Sequence, residues 1–191
     1  MSLVVATCPK FLSLLGSFYE ALPDSPSLNA ELVAPATIPE PYRGLLVHRS
    51  DMTSTLQRYH GEDAELRVLQ KSSAGNFFCR HIVLEGARSR RPVEYGAIRI
   101  RLDAMSEAAR RQVLECRVPL GGILKTCGIA HQSCPGGFFR VLSNELMNEV
   151  LELDGPRWLY GRCNCLSNGS GETIAEVIEI LPVLPGGQDS L

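Results

Sequence analysis

The chain has 191 residues, of which 45 % are hydrophobic and 21 % are charged, as is usual for one globular domain with a substantial core. The formal net charge of −2 gives no indication that nucleic acid or an anionic membrane is a partner. The sequence has neither an apolar run of about 18 residues nor the pattern of a secretion signal. A cytoplasmic protein is therefore predicted.

The first third of the chain predicts two helices separated by an irregular segment. Residues 9–22 place apolar side chains at helical spacing, namely Phe11, Leu14, Leu15, Phe18 and Leu22. Residues 23–41 contain five prolines and predict an irregular crossing, so residues 1–43 are interpreted as a helical and proline-rich lead-in. Ser50 or Asp51 can cap a second helix over residues 53–59, which Gly61 would end.

Strand patterns dominate the rest of the chain. Six strands are predicted, over residues 64–71, 77–84, 93–102, 138–142, 158–167 and 173–181. A helix over 106–113 with Ser106 as its cap and a short helix after the Pro-Leu-Gly-Gly turn at 119–122 lie between them. Residues 131–137 predict a loop, residues 146–151 are ambiguous, and Asn-Gly-Ser-Gly at 168–171 predicts a hairpin. This order predicts a single α+β domain over residues 1–191, with a mainly antiparallel sheet of about six strands, packed helices and a loose tail at 183–191.

Familiar catalytic and metal-binding motifs are missing from the sequence. The chain has no G-x-S-x-G, Walker, G-x-G-x-x-G or H-E-x-x-H motif, and its four histidines are isolated. Its seven cysteines are scattered without a C-x-x-C pair, which favours reduced thiols over a metal site. No metal and no cofactor are predicted.

Arg80 is the most unusual residue of the strand patterns. It lies inside the apolar run at 77–84, where an unpaired arginine is costly to bury. Either Arg80 is partly exposed or held in a structural ion pair, or it binds a carboxylate, whose geometry matches the guanidinium fork. His81 follows it and would point to the opposite face of the strand.

Two acids and two glycines are further candidates. Glu176 and Glu179 lie on the last predicted strand at an odd spacing, so at most one of them faces the core. The simpler alternative is that both acids lie at the surface. Otherwise one of them is buried in a pocket, as a hydrogen-bond partner or a proton-transfer group. Gly121 and Gly122 are consistent with close approach of an anion to the backbone, although most such turns are only turns.

Four short segments, in this order, resemble those of the chorismate lyases and chorismate lyase-like proteins. They are Ser-Asp-Met-Thr at 50–53, Arg-His-Ile-Val-Leu at 80–84, Pro-Leu-Gly-Gly-Ile-Leu at 119–124, and an end consisting of Gly161-Arg162, the turn at 168–171 and Glu-Ile-Leu-Pro at 179–182. The resemblance covers residues 44–182. The chain departs from the family pattern at Cys163, where a second arginine is common, and at the extra Gly122.

The resemblance implies a fold, an activity and a set of site residues. Arg80 would hold the carboxylate of chorismate, and Glu179, with Glu176 as its rival, would lie near the ring hydroxyl. Met52, Leu120 and Gly121 would line the pocket as substrate-binding residues. The activity implied is cofactor-free cleavage of chorismate to 4-hydroxybenzoate and pyruvate. Two alternatives stay open: a lyase acting on a related cyclic hydroxy acid, and a non-catalytic effector-binding domain of the same fold, standing alone because no basic winged-helix segment is recognised.

Overall fold

The structure, a computed structural model, describes residues 12–22 and 25–186. Within these ranges the helices are α1 Leu12–Tyr19, α2 Tyr42–Leu46, α3 Met52–His60, α4 Glu107–Glu115, α5 Leu120–Thr126 and α6 Glu145–Val150. The strands are β1 Asn29–Val33, β2 Ala64–Ala74, β3 Phe77–Gly86, β4 Pro92–Arg101, β5 His131–Leu142, β6 Trp158–Asn168 and β7 Thr173–Ile180. Two short 3-10 turns, Pro35–Thr37 and Leu102–Ala104, complete the regular structure.

All seven strands form one sheet in the order β1-β5-β6-β7-β4-β3-β2, and every neighbouring pair is antiparallel. The predicted α+β class with a mainly antiparallel sheet is confirmed, with one strand more than expected. That the whole of residues 1–191 forms one domain stays a prediction. None of the helices in the described part of the chain is both long and apolar enough to span a bilayer.

Two segments predicted to be irregular, residues 23–41 and residues 131–137, contribute to strands of the sheet. The segment at 23–41 is not wholly irregular, because its proline-free stretch Asn29–Val33 pairs with the end of β5, Asn29 opposite Leu142. The expected loop at 131–137 is the first half of β5, whose pairing with β6 continues past an irregularity between Pro135 and Gly137. In β5, pairing with β6 outweighs the local preference of proline and glycine for turns, whereas β1 forms because its short proline-free stretch finds a partner strand far along the chain.

The helix boundaries follow capping residues. Asp51 accepts a hydrogen bond from the backbone N–H of Ser54 at 2.8 Å and begins α3, which Gly61 ends with a left-handed backbone, φ 68°. Ser106 caps α4 in the same way. The N-terminal helix α1 is shorter than the predicted span of 9–22, of which residues 9–11 lie outside the described residues.

Helices cover both faces of the sheet. The first face packs against α1 and α6 and buries His81 among Phe18, Tyr19 and Tyr95. The second face packs against α2, α3, α4 and α5 in two apolar clusters. The side chain of Arg80 belongs to the second face, since successive strand residues point in opposite directions. The candidate site lies on this face.

Candidate functional site

Side chains of the second face lie in rows that run across the sheet. Directly paired residues of an antiparallel sheet point to the same side. The first row consists of Arg80, Ile98, Val177 and Asn164, and the second consists of Ile82, Gly96, Glu179 and Arg162. Leu84 and Glu94 pair one row further along β3 and β4. The strand register therefore brings two arginines and two glutamates from four strands onto one face.

A cavity of about 50 Å³ lies between these rows and the starts of α3 and α5. Its lining includes every residue that the sequence proposed for the site: Arg80, Glu179, Met52, Leu120 and Gly121. The structure thus places these five residues together, and their roles in binding or catalysis stay predictions. At this volume the cavity admits a small ligand group, and a ring-sized ligand would require movement of side chains at its mouth.

Arg80 is buried without an ionic partner. Its side chain is 1 % exposed, and neither Nε nor Nη1 has a hydrogen-bond partner in the protein. Burial lowers the pKa of Arg80, and the nearby Cys116 side chain partly counteracts this. No carboxylate of the described residues forms an ion pair with it. Arg80 is one of the residues that line the cavity, so its unpartnered donors are candidates for contact with an external anion.

Glu179, by contrast, already has a partner. Arg162 Nε donates a hydrogen bond to the Glu179 carboxylate, and both side chains are almost fully buried. Arg162 Nη1 also donates to the carbonyl oxygens of Leu46 and His48, each at 3.1 Å. Arg162 therefore joins the carbonyl end of α2 to the sheet. The rival Glu176 pairs with Arg99 outside the cavity, where both side chains are partly exposed.

Glu94 is a polar group of the cavity that the sequence reasoning missed. It is 3 % exposed, and its Oε2 has no hydrogen-bond partner in the protein. Burial and the charge of Glu179 raise the pKa of Glu94 well above its ordinary value, which favours the protonated carboxyl. Burial also raises the pKa of Glu179, and the charge of Arg162 opposes that rise. An acid between Val93 and Tyr95 in a strand is the same signal that identified Arg80.

Two glycines allow the close approach of the elements that enclose the cavity. A Cβ at Gly121 would collide with the carboxylate of Asp51, so the start of α5 rests directly on the cap of α3. A Cβ at Gly96 would overlap the carbonyl oxygen of Ile178 on β7. Gly96 also leaves the second row without a side chain between Ile82 and Glu179.

The described residues contain no group of three or more histidine, cysteine, aspartate or glutamate side chains placed so that they could bind a metal ion.

Comparison with known proteins identifies structures that share the fold of this chain. No family model matches the chain, and neither does any curated protein. Among solved structures, PhnF from Mycobacterium smegmatis is 11 % identical with a TM-score of 0.55, over 73 % of this chain and 70 % of PhnF. The effector domain of that protein, solved separately, is also 11 % identical, with a TM-score of 0.53 over 69 % of this chain and 88 % of the domain.

A third similar structure is the ligand-binding domain of a protein from Bordetella bronchiseptica described as a GntR-family transcriptional regulator. It is 13 % identical with a TM-score of 0.50, over 67 % of this chain and 92 % of that domain. Such identities establish a shared fold only. The chorismate lyase-like fold expected from the sequence is therefore confirmed.

The prediction of an enzyme is wrong. Two of the similar structures are described as an effector domain and as the ligand-binding domain of a transcriptional regulator, not as lyases, which contradicts the predicted cleavage of chorismate to 4-hydroxybenzoate and pyruvate. The site agrees with this correction, because the carboxylate assigned to proton transfer, Glu179, is held by Arg162. The chain shares a fold with these domains, and its sheet carries a mainly apolar cavity with a few buried polar groups.

Proposed function

We propose that the chain is a non-catalytic sensor domain that binds a small molecule through an anionic group, with Arg80 as the anion-binding residue. The observation that carries the proposal is the burial of the Arg80 guanidinium beside a cavity with two of its nitrogens unpartnered. Similar structures described as effector and ligand-binding domains support the same function. A cytoplasmic location is part of this proposal.

The energetics favour an anionic ligand. A buried guanidinium with two unpartnered nitrogens destabilises the unliganded protein, because these nitrogens lose their hydration and gain no hydrogen bond in its place. A carboxylate offers two acceptor oxygens that match the guanidinium fork, and charge-assisted hydrogen bonds of this kind are among the strongest in proteins. Binding would therefore remove the cost of the buried charge, which would contribute to the affinity.

The other predicted site residues would serve as walls of the binding site. Met52 and Leu120 are buried apolar side chains at the starts of α3 and α5. They would cover the apolar part of a ligand, while Gly121 keeps the two helix starts close together. Because both helix starts border the cavity, a ligand that fills it would alter the packing between α3 and α5. Such a change is one route by which a sensor domain reports occupancy.

Binding measurements with an arginine variant test this proposal. Isothermal titration or NMR titration of the protein with short carboxylic acids, including acetate, butyrate and benzoate, is expected to find at least one binder. Arg80→Met should abolish that binding. Arg99→Met, which removes a half-exposed arginine of the neighbouring strand, should preserve it. Equal binding by wild type and Arg80→Met, or binding by neither, would overturn the proposal.

A further inference from the structure

The cavity has two polar ends on the same two strands. Arg80 on β3 pairs with Ile98 on β4, whereas Glu94 on β4 pairs with Leu84 on β3. Four residues therefore separate the two positions along the strands, which corresponds to about 13 Å between their backbones. Both side chains line the same cavity. A small elongated ligand that reached both ends, with the movement of side chains that a cavity of about 50 Å³ requires, would meet a guanidinium at one end and a carboxyl group at the other.

The end near Glu94 contains more carboxyl groups than cations. Glu94, Glu179 and Asp51 all line the cavity, and the charges of Glu179 and Asp51 both raise the pKa of Glu94. Arg162 is the cation that opposes this effect, and its Nε is bound to Glu179. Asp51 is held in place as the cap of α3. A positive group is therefore favoured at this end of the cavity.

Both ends present buried polar atoms without partners. Glu94 is 3 % exposed with Oε2 unpartnered, and Arg80 is 1 % exposed with Nε and Nη1 unpartnered. Native proteins rarely leave such atoms unsatisfied, and each exception calls for a physical cause. One ligand that carries an anion at one end and a donor at the other would satisfy both exceptions at once.

We infer that the ligand is dipolar, with a carboxylate or similar anion bound by Arg80 and a protonated amino group bound by Glu94. This inference rests on the proposed function and specifies the class of its ligand. The ammonium group donates a hydrogen bond to Glu94 Oε2, and the Glu94 carboxyl releases its proton to solvent as the ion pair forms. A hydroxyl group would also donate to Oε2, but it would leave the excess of carboxyl groups without a countercharge.

The test compares ligands that differ only at the end remote from the carboxylate. Dissociation constants are measured by NMR titration of the complete chain for three ω-amino acids, γ-aminobutyrate, δ-aminovalerate and ε-aminocaproate. Butyrate, valerate and caproate serve as matched alkanoates, and the corresponding ω-hydroxy acids serve as uncharged donors. At the best chain length the amino acid should bind about tenfold more tightly than either counterpart, as expected for one charge-assisted hydrogen bond.

Two variants test whether Glu94 causes the preference for the amino acid over its counterparts. Glu94→Gln keeps the size and the neutral state of the side chain but cannot become an anion, so the preference for the amino acid should fall to within about twofold. Glu176→Gln removes an acid of β7 outside the cavity and should keep the preference. The melting temperature of each unliganded variant checks its folding. If Glu94→Gln does not fold, the comparison of the three ligand series on the wild type decides alone.

The outcomes separate this inference from the proposed function. Hydroxy acids or alkanoates that bind as tightly as the amino acids would overturn the dipolar ligand, and so would a preference retained in Glu94→Gln. If the acids that bind the wild type do not bind the Arg80→Met variant, the proposed anion-binding function still holds. If no acid of any series binds the wild type, both the function and the dipolar ligand are wrong.

Discussion

Arg162 and Glu179 lie directly opposite each other on β6 and β7 and form a buried ion pair, whereas Arg80 on the same face of the sheet has no such partner. The two arginines are similarly buried, at 0 % and 1 % exposure, yet their surroundings differ. Arg162 is satisfied largely within the protein and holds α2 on the sheet. Arg80, by contrast, has two nitrogens, Nε and Nη1, without a hydrogen-bond partner in the protein. Substitution should therefore destabilise the protein at Arg162 but not at Arg80.

Arg162→Met should destabilise the protein strongly. The substitution leaves the Glu179 carboxylate buried without its partner and removes the donor to the carbonyl oxygens of Leu46 and His48. Breaking a buried pair from one side costs about 3–5 kcal/mol in the free energy of unfolding. Urea denaturation measures the loss. The double variant with Glu179→Leu should recover a large part of it, and a single variant as stable as the wild type would contradict the structural role of the pair.

Arg80→Met should not destabilise the unliganded protein. The substitution removes a buried charge that lacks an ionic partner and fills the same space with an apolar chain. We expect the free energy of unfolding to stay the same or to rise by roughly 1 kcal/mol, as is typical when a functional residue is replaced by one that packs better. Urea denaturation without ligand provides the measurement. A loss as large as that of Arg162→Met would indicate a structural role for Arg80.

His81 should make the protein less stable in acid. The ring is fully buried between aromatic side chains, neither nitrogen has a partner in the protein, and burial lowers its pKa from 6.5 to about 4. Because the folded state holds the proton less tightly than the unfolded state, the contribution of neutral His81 is complete above pH 6.5. It is lost as the pH falls toward 4, by roughly 3 kcal/mol in total.

The matched variant for this effect is His81→Phe, which keeps a ring in the aromatic cluster and cannot titrate. The free energy of unfolding is measured for both proteins between about pH 7.5 and pH 4, a range of about 3.5 pH units. The difference between wild type and variant should shift steadily against the wild type below pH 6.5. A constant difference across that range would show that His81 does not titrate as a buried neutral ring.

Gly96→Ala should destabilise the sheet. The added Cβ would overlap the carbonyl oxygen of Ile178, which belongs to the backbone of β7 and cannot rotate away. Overpacking of this kind costs about 1–3 kcal/mol. Gly137→Ala on β5 is the control, because nothing lies within 4 Å of its added Cβ. Thermal unfolding of both variants gives the comparison, and equal melting temperatures would exclude a close approach at Gly96.

Some features of this protein were determined by local sequence alone. The alternating strands, the caps at Asp51 and Ser106 and the hairpin at 168–171 depend on neighbours within a few residues, so the fold class followed from the pattern. Arg80 stood out for the same reason, because a charge inside an apolar run is visible without knowledge of any contact. Glu94 carries the same signal and was overlooked.

The partners of the buried charges were decided only by the tertiary structure. Strand β1 exists because β5, about a hundred residues later in the chain, offers it a free edge for pairing. Arg162 and Glu179 neutralise each other because the β6–β7 register sets them opposite, and the β4–β7 register places Gly96 beside them. Arg80 is left without an acid by these same registers. The sequence shows which charges are costly to bury, whereas the strand register decides which of them meet an opposite charge inside the protein.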